Sequence, residues 1–184
     1  MLHRSSRPTN EVNMVMSNSW SGVFALTLVA VLPLNVMGAD LIIGFDGIDN
    51  IKLGTPLAKI RIRLEQPIRK TDQQPSGHCY YAWPEDDQRF ALMFVADVLT
   101  RIDVMQPGLR TAAGVGVGDP VFKAQEVYGR AIKDEPDFYD GRERYLTISS
   151  ADGRYSIRFM TSHGKISAII SGTAKSVQYV EGCL

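Results

Sequence analysis

The stretch "GVGVGDPVFKAQEVYG", Gly114 to Gly129, decides how the chain is interpreted, because it looks like a glycine-rich phosphate loop that opens a helix. A Walker loop requires lysine and then serine or threonine after its last glycine, whereas Asp119 and Pro120 stand there. A carboxylate at this position would fill the anion site at a helix N-terminus and repel phosphate. The stretch therefore predicts a structural junction and not a nucleotide site.

The same pattern occurs earlier, in "IKLGTPLAKIRIRL" (Ile51 to Leu64), which aligns without gaps with "VGVGDPVFKAQEVY" (Val115 to Tyr128). Alternating apolar residues at the start of each stretch predict a short strand, and a glycine follows. Thr55 and Asp119 are good helix N-caps, and each precedes a proline at the first helical position. Each stretch therefore predicts a strand, a glycine, a cap and a helix of about three turns.

Three segments of apolar-polar alternation follow each predicted helix. They are HCYYAW, RFALMFV and LTRIDVM after the first helix, and RYLTISS, RYSIRFM and KISAIIS after the second. Tight-turn pairs such as Asp152-Gly153 and His163-Gly164 separate them, which indicates an antiparallel meander and excludes a parallel dinucleotide-binding fold. The segment SVQYVEGC predicts one more strand, ending on Cys183. We therefore expect an α+β fold of two helix-plus-meander repeats, residues 40–109 and 110–184, forming one antiparallel sheet with the helices packed on one side.

The first 39 residues differ from the rest and predict a signal peptide, residues 1–39. Arg4 and Arg7 precede an apolar core, residues 23–34, that is shorter than the roughly 20 residues of a membrane span. The small pair Gly38-Ala39 offers a cleavage site. We expect a periplasmic or secreted protein that meets the membrane only through this segment during export, with an uncleaved anchor as the alternative.

The segment after the signal contains two cysteines, Cys79 and Cys183. In an oxidising compartment an even pair predicts a disulfide. Because Cys79 opens the first meander and Cys183 closes the second, the disulfide would tie the two repeats together. Closing so long a loop contributes roughly 4–5 kcal/mol at most. The alternative is a free cysteine that acts as a nucleophile or binds a metal.

Composition and residue spacing offer little support for catalysis. With 20 basic and 20 acidic residues the net charge is zero, so nothing in the overall charge favours nucleic acid. His78 adjoins Cys79, but neighbouring side chains on a strand point to opposite faces, and His163 lies in a turn. Neither histidine has the spacing of a zinc site. We expect no enzyme, no cofactor and no metal.

Aromatic and arginine side chains form two groups that suit a binding surface. On the segment CYYAW, Tyr81 and Trp83 share one face of a strand and Tyr80 takes the other. The second group is Phe138, Tyr139, Arg142 and Arg144, close to Tyr145. Tyr, Trp and Arg dominate binding hot spots, and a sheet face not covered by helices must meet water or a partner. The alternative is that these side chains are core and cross-strand pairs.

The tandem motif consists of a glycine, a cap, a short helix and a trailing meander, and it occurs in "IKLGTPLAKI" and "VGVGDPVFKAQEVYG". This motif resembles the SmpA/OmlA (BamE-like) family. The doubled arrangement resembles the repeats of β-lactamase-inhibitor-protein-like domains. The resemblance implies a cell-envelope protein that acts by binding another envelope protein, as an inhibitor, an immunity-type protector or an assembly factor. The alternative is a carbohydrate- or peptidoglycan-binding module that stacks glycans on Trp83 and the tyrosines.

Overall fold

The chain has an α+β fold in a computed structural model that describes residues 41–64, 66–70 and 78–183. The predicted signal peptide, residues 1–39, lies outside these ranges. The described residues contain two α-helices, α1 (Leu57–Leu64) and α2 (Val121–Tyr128), together with twelve strands in two sheets.

In chain order the strands are β1 (Ile42–Gly44), β2 (Gly47–Ile48), β3 (Ile51–Lys52), β4 (Ile68–Lys70), β5 (Cys79–Pro84), β6 (Phe90–Val95), β7 (Val98–Val104), β8 (Arg110–Thr111), β9 (Lys133–Pro136), β10 (Arg144–Ser149), β11 (Tyr155–Ser162) and β12 (Lys165–Thr173). The larger sheet has eight strands in the order β4-β5-β6-β7-β12-β11-β10-β9, and all of its neighbouring strands are antiparallel. The smaller sheet has the order β3-β2-β1-β8, in which β1 and β8 are parallel.

The large sheet consists of two sets of four consecutive strands, β4 to β7 and β9 to β12, which meet where β7 pairs with β12. A helix precedes each set in the chain, α1 before β4 and α2 before β9. All six meander segments expected from the sequence begin and end within two residues of the strands observed, and β11 and β12 each extend two residues further. The α+β class is confirmed, and the interpretation of the two sets as sequence repeats stays a prediction.

The helices and the small sheet pack on one face of the large sheet and share a single apolar core with it. Ile60 of α1, Ala124 of α2 and Ile48 of β2 are completely buried in the same cluster as Leu92 and Phe159 of the large sheet. Burying side chains of the Leu and Phe class contributes about 1.5–3 kcal/mol each. The other face of the large sheet points away from this core and from both α-helices.

Both helices are shorter than expected, with eight residues and about two turns each. Helix α2 ends at Gly129, whose positive φ of 47° and N–H bond to the Gln125 carbonyl close the last turn. The expected cap at Asp119 is wrong: Pro120 occupies the cap position of α2 without a side-chain bond. The Asp119 carboxylate instead accepts hydrogen bonds from the Gly116 N–H and Lys123, each within 2.9 Å.

Two expected strands are also wrong. Residues 115–117 form only an isolated bridge, between Gly116 and Arg110, because the chain turns tightly there and the Thr111 N–H donates to the Val115 carbonyl. The segment SVQYVEGC forms a short 3-10 helix, Ser176–Gln178, followed by turns. The tight turn at His163-Gly164 is confirmed, since both residues have positive φ, as a two-residue hairpin of type I′ requires.

Candidate binding surface

The large sheet has a second face, opposite the helices, that carries a row of polar side chains. Tyr81, Arg101 and Ser156 lie on this face, because residues paired directly across neighbouring strands point to the same side of a sheet. The register runs from Tyr81 through Met93, Arg101 and Gly172 to Ser156. Only 4% of Arg101 and 2% of Ser156 is exposed to solvent. The face is therefore covered, although it lies opposite both α-helices.

The cover is the C-terminal strap, by which we mean residues 174–183. Its 3-10 helix contacts β7, β11 and β12, and Val177 is buried against the sheet. The Ser176 hydroxyl donates to the Thr100 carbonyl at 2.8 Å. Gly172 makes this approach possible, since a Cβ there would lie 2.7 Å from the Ser176 Oγ.

The end of the strap is fixed by the disulfide between Cys79 and Cys183, which joins residues 104 positions apart. This pairing confirms the predicted disulfide. It also rules out the alternative of a free nucleophilic or metal-binding cysteine, since no described cysteine is free. A disulfide indicates an oxidising, exported environment.

Beneath the strap, Arg101 and Asp103 form a buried ion pair. The Arg101 Nε lies 2.6 Å from Asp103 Oδ1 and its Nη2 lies 2.8 Å from Oδ2, a two-point geometry. The remaining Nη1 donates to the strap carbonyls of Ser176 at 3.2 Å and Tyr179 at 2.6 Å. Burial opposes the charge on Arg101, but its bonds to Asp103 outweigh burial and raise its pKa. The ion pair therefore holds the strap through its backbone.

Tyr81 completes this cluster. Its hydroxyl donates to Asp103 Oδ2 at 2.8 Å, and burial together with the Asp103 charge raises the pKa of its phenol well above the usual value. Gly182 of the strap packs against the Tyr81 ring, where a Cβ would clash with the hydroxyl oxygen. Tyr81 therefore packs beneath the strap, as expected from the alternative that these aromatic side chains are core and cross-strand pairs.

A second arginine, Arg158, holds the strap further along the same face. Its Nε donates to the Thr147 hydroxyl at 3.1 Å and its guanidinium lies 4.7 Å from the centre of the Tyr145 ring. A further bond joins Arg158 to the side-chain oxygen of Gln178 in the strap. The expectation that this face meets water or a partner is therefore wrong for its central strands, because the chain's own C-terminus covers them.

Exposed apolar side chains occur on α1 and α2 as well, and one group of them lies on the outer surface of this cover. The loop between β9 and β10, residues 137–143, presents Phe138 and Tyr139, which are 73% and 67% exposed. The strap presents Tyr179 and Val180, each 37% exposed. The Tyr139 hydroxyl bonds to Glu181, so the two segments touch. We call residues 137–143 and 179–181 the loop–strap surface.

The loop that carries Phe138 and Tyr139 is held in place by hydrogen bonds. The Asp137 carboxylate accepts the N–H groups of Tyr139 at 2.8 Å and Asp140 at 3.0 Å. The Asp140 carboxylate pairs with Arg142 at 2.8 Å, and the hydrogen bonds from Arg142 lower the pKa of Asp140 to about 2. The rings of Phe138 and Tyr139 meet edge to face at 5.1 Å. The loop therefore presents its aromatic side chains in one defined arrangement.

The structure brings some of the expected binding residues together and separates others. Tyr81 and Trp83 are in ring contact at 5.9 Å, and Phe138, Tyr139 and Arg142 share the loop. The two groups lie apart, because four strands separate β5, which carries Tyr81 and Trp83, from β10, which follows the loop. Arg144 faces the sheet edge, where it pairs with Asp134 of β9 at 2.6 Å. Tyr179 and Val180 are surface residues that the sequence pattern does not reveal, because it predicts a strand there.

Metal and membrane sites have no candidates in the part of the chain that the structure describes. There, no three His, Cys, Asp or Glu side chains gather as metal ligands would. Across residues 41–64, 66–70 and 78–183, no helix has the length and apolar character needed to cross a bilayer. The His163 ring is exposed and bonds to the Ser162 hydroxyl at 2.9 Å.

Comparisons with known proteins identify no family. No protein-family model matches the chain. No curated protein matches it either. Among solved structures, the chain is similar to the uncharacterized protein yfeY from Escherichia coli, with 16% sequence identity and a TM-score of 0.46 over 71% of this chain and 99% of that one. This likeness is too distant to carry an argument about function, and the resemblance to SmpA/OmlA-like repeats stays a prediction.

Proposed function

We propose that this is an exported, periplasmic protein that binds another envelope protein through the loop–strap surface, as an inhibitor, a protector or an assembly factor. The observation that carries the proposal is the exposure of Phe138, Tyr139, Tyr179 and Val180 on two segments that touch. Exposed apolar groups that cluster on a soluble domain are typical of an interaction site. Large aromatic side chains are also the residues that contribute most at interfaces.

The rigidity of this surface supports the proposal. The strap is tied by a disulfide at one end and by Arg101 along its length, and the loop is fixed by Asp137. A surface that is already ordered loses little conformational entropy when it binds, so more of the contact energy appears as affinity. Binding, and not catalysis, is the role that this arrangement suits.

The test is an affinity pull-down from periplasmic and membrane extract under non-reducing conditions, using the tagged full chain. We expect one protein partner in stoichiometric amount. The variant Phe138→Ala/Tyr139→Ala should lower its affinity by roughly 30-fold or more, which corresponds to a hot-spot loss of about 2 kcal/mol. Phe122→Ala is the matched control, because Phe122 is a 64% exposed phenylalanine on α2. Equal capture by both variants would contradict the proposed surface.

A further inference from the structure

A groove lies at the turn between β5 and β6, and none of its lining residues belongs to the loop–strap surface. It consists of two adjoining depressions, of about 170 Å³ and about 690 Å³, which are open to solvent and both of which Gln88 lines. Trp83 and Arg69 line the smaller cavity, and Asp86 and Gln106 line the larger one. The groove therefore combines one large aromatic ring with amides and charged groups.

Trp83 forms an aromatic platform at one end of this groove. It is half-buried on β5, with Tyr81 at 5.9 Å on one side and Arg69 directly opposite it on β4. Glu85, at 3.9 Å from the Arg69 guanidinium, completes this end. The indole therefore has neighbours on two sides and contributes a flat apolar surface to the smaller cavity.

The polar side chains along the groove have unused hydrogen-bonding capacity. Within the described residues, the side chains of Gln88, Gln106 and Asp86 take part in no hydrogen bond or ion pair and are exposed. Each amide offers two donors and an acceptor, and the carboxylate offers acceptors only. A ligand here meets side chains that can donate and accept at neighbouring positions.

The backbone that presents these groups is fixed. The Asp87 carboxylate holds Arg89 through two bonds, of 2.8 and 2.7 Å, and the hydrogen bond from Arg89 lowers the pKa of Asp87. The Asp86 N–H donates to the Gln66 side chain at 2.9 Å, and the Glu85 N–H donates to the Pro67 carbonyl at 3.0 Å. The turn is ordered before any ligand arrives, which favours binding.

From this chemistry we propose that the groove binds a neutral saccharide, with one sugar ring stacked on Trp83 and hydroxyl groups bonded to Gln88, Gln106 and Asp86. A sugar ring offers an apolar C–H face and neighbouring hydroxyls that both donate and accept, which matches these residues. An anion is disfavoured because Arg69 and Arg89 are paired with Glu85 and Asp87, which leaves the lining with the net negative charge of Asp86. An apolar peptide is disfavoured because Trp83 is the one aromatic anchor among the residues that line the groove.

The test uses intrinsic fluorescence of the full chain carrying Trp20→Phe, which leaves Trp83 as its only tryptophan. The probes are maltotriose, cellotriose and chitotriose. We expect at least one of them to shift the Trp83 emission in a saturable way, with a Kd on the order of 1 mM. No saturable shift with any of the three at 10 mM would overturn the proposal.

Variants separate this site from the loop–strap surface. By calorimetry, Gln88→Ala and Gln106→Ala should each weaken saccharide binding by about tenfold, and Trp83→Ala should abolish it while Trp83→Phe retains part of it. Phe138→Ala/Tyr139→Ala should leave saccharide binding unchanged and lower only protein capture. A saturable signal that survives both glutamine substitutions would refute the site.

Discussion

Removal of the disulfide that fixes the strap should destabilise the protein strongly. The change is Cys79→Ala/Cys183→Ala, which opens a loop whose ends are 104 positions apart. In the chain-entropy model, a loop of about 100 residues gives a contribution of about 4.7 kcal/mol at 25 °C, and native disulfides are worth roughly 2–5 kcal/mol in practice. Since a domain of this kind is stable by about 5–15 kcal/mol, the loss is a large fraction of the total.

The assay is urea unfolding followed by the tyrosine and tryptophan signals. We expect the midpoint to fall with a two-state transition, because the native contacts of the strap remain and the change acts mainly on the unfolded chain. Limited proteolysis should then cut the variant, and not the wild type, after Lys175 or Tyr179, because the strap opens more often once its end is free. Ser162→Ala, at a half-buried position outside the strap, is a control for substitution itself.

A loss below about 1 kcal/mol would refute this reasoning, since it would mean that the closed loop does not restrict the unfolded chain as the chain-entropy model requires. A strap that becomes protease-sensitive with no change in the unfolding midpoint would refute it too, because local opening would then be independent of global stability.

Three further predictions follow from named contacts. Arg101→Met should lower the free energy of unfolding by about 3–5 kcal/mol, because it leaves Asp103 buried without its partner. Chemical denaturation measures this change, and a loss below about 1 kcal/mol would contradict the stabilising role of the ion pair. Ala96→Gly should raise the melting temperature through a gain of roughly 0.5–1 kcal/mol, because Ala96 has a positive φ of 50°, and a fall would argue against strain. Burial opposes ionisation of Asp119, but hydrogen bonds from Lys123, the Gly116 N–H and Arg110 outweigh burial and lower the pKa of its carboxyl. This carboxylate therefore stabilises the fold above about pH 4, and the stabilisation is lost as the pH falls through the lowered pKa. Asp119→Asn should flatten the pH dependence of unfolding in that range, and an unchanged profile would contradict the assignment.

Much of the large sheet could be predicted from local pattern. Alternation and turn signals located β5, β7, β10, β11 and β12. Strand β6 was located as a continuous apolar run between turn signals, because both of its faces are buried. The edge strands β4 and β9 could not be located in this way. Strand β9, with the sequence KDEP, has no buried residue, and its pairing with β10 alone defines it.

The strap could not be predicted either, and the reason differs from that for the edge strands. Its conformation depends on Arg101, which lies more than seventy residues earlier and takes up two of its carbonyl groups. The apolar residues in SVQYVEGC suggested a strand, because nothing local shows that an arginine will compete for the backbone. Tyr179 and Val180 were missed as surface residues through the same error. Asp119 was misassigned because Lys123 and Arg110 attract its carboxylate away from the helix.

Part of the candidate surface could nevertheless be recognised. Phe138 and Tyr139 lie between acidic and glycine residues, where a loop is expected, and they are exposed in the structure. Tyr81 and Trp83 were placed on one face of a strand, which their ring contact confirms. Whether such residues bind a partner depends on what covers the sheet, and only the fold reveals that.

Photocrosslinking in cells shows whether a protein partner binds the loop–strap surface. A benzophenone amino acid would be placed at position 138 in one strain and at position 122, on α2, in another. We expect position 138 to crosslink to one envelope protein and position 122 to form no crosslink, as binding at the loop–strap surface requires. Crosslinks from position 122 alone, or from neither position, would contradict it.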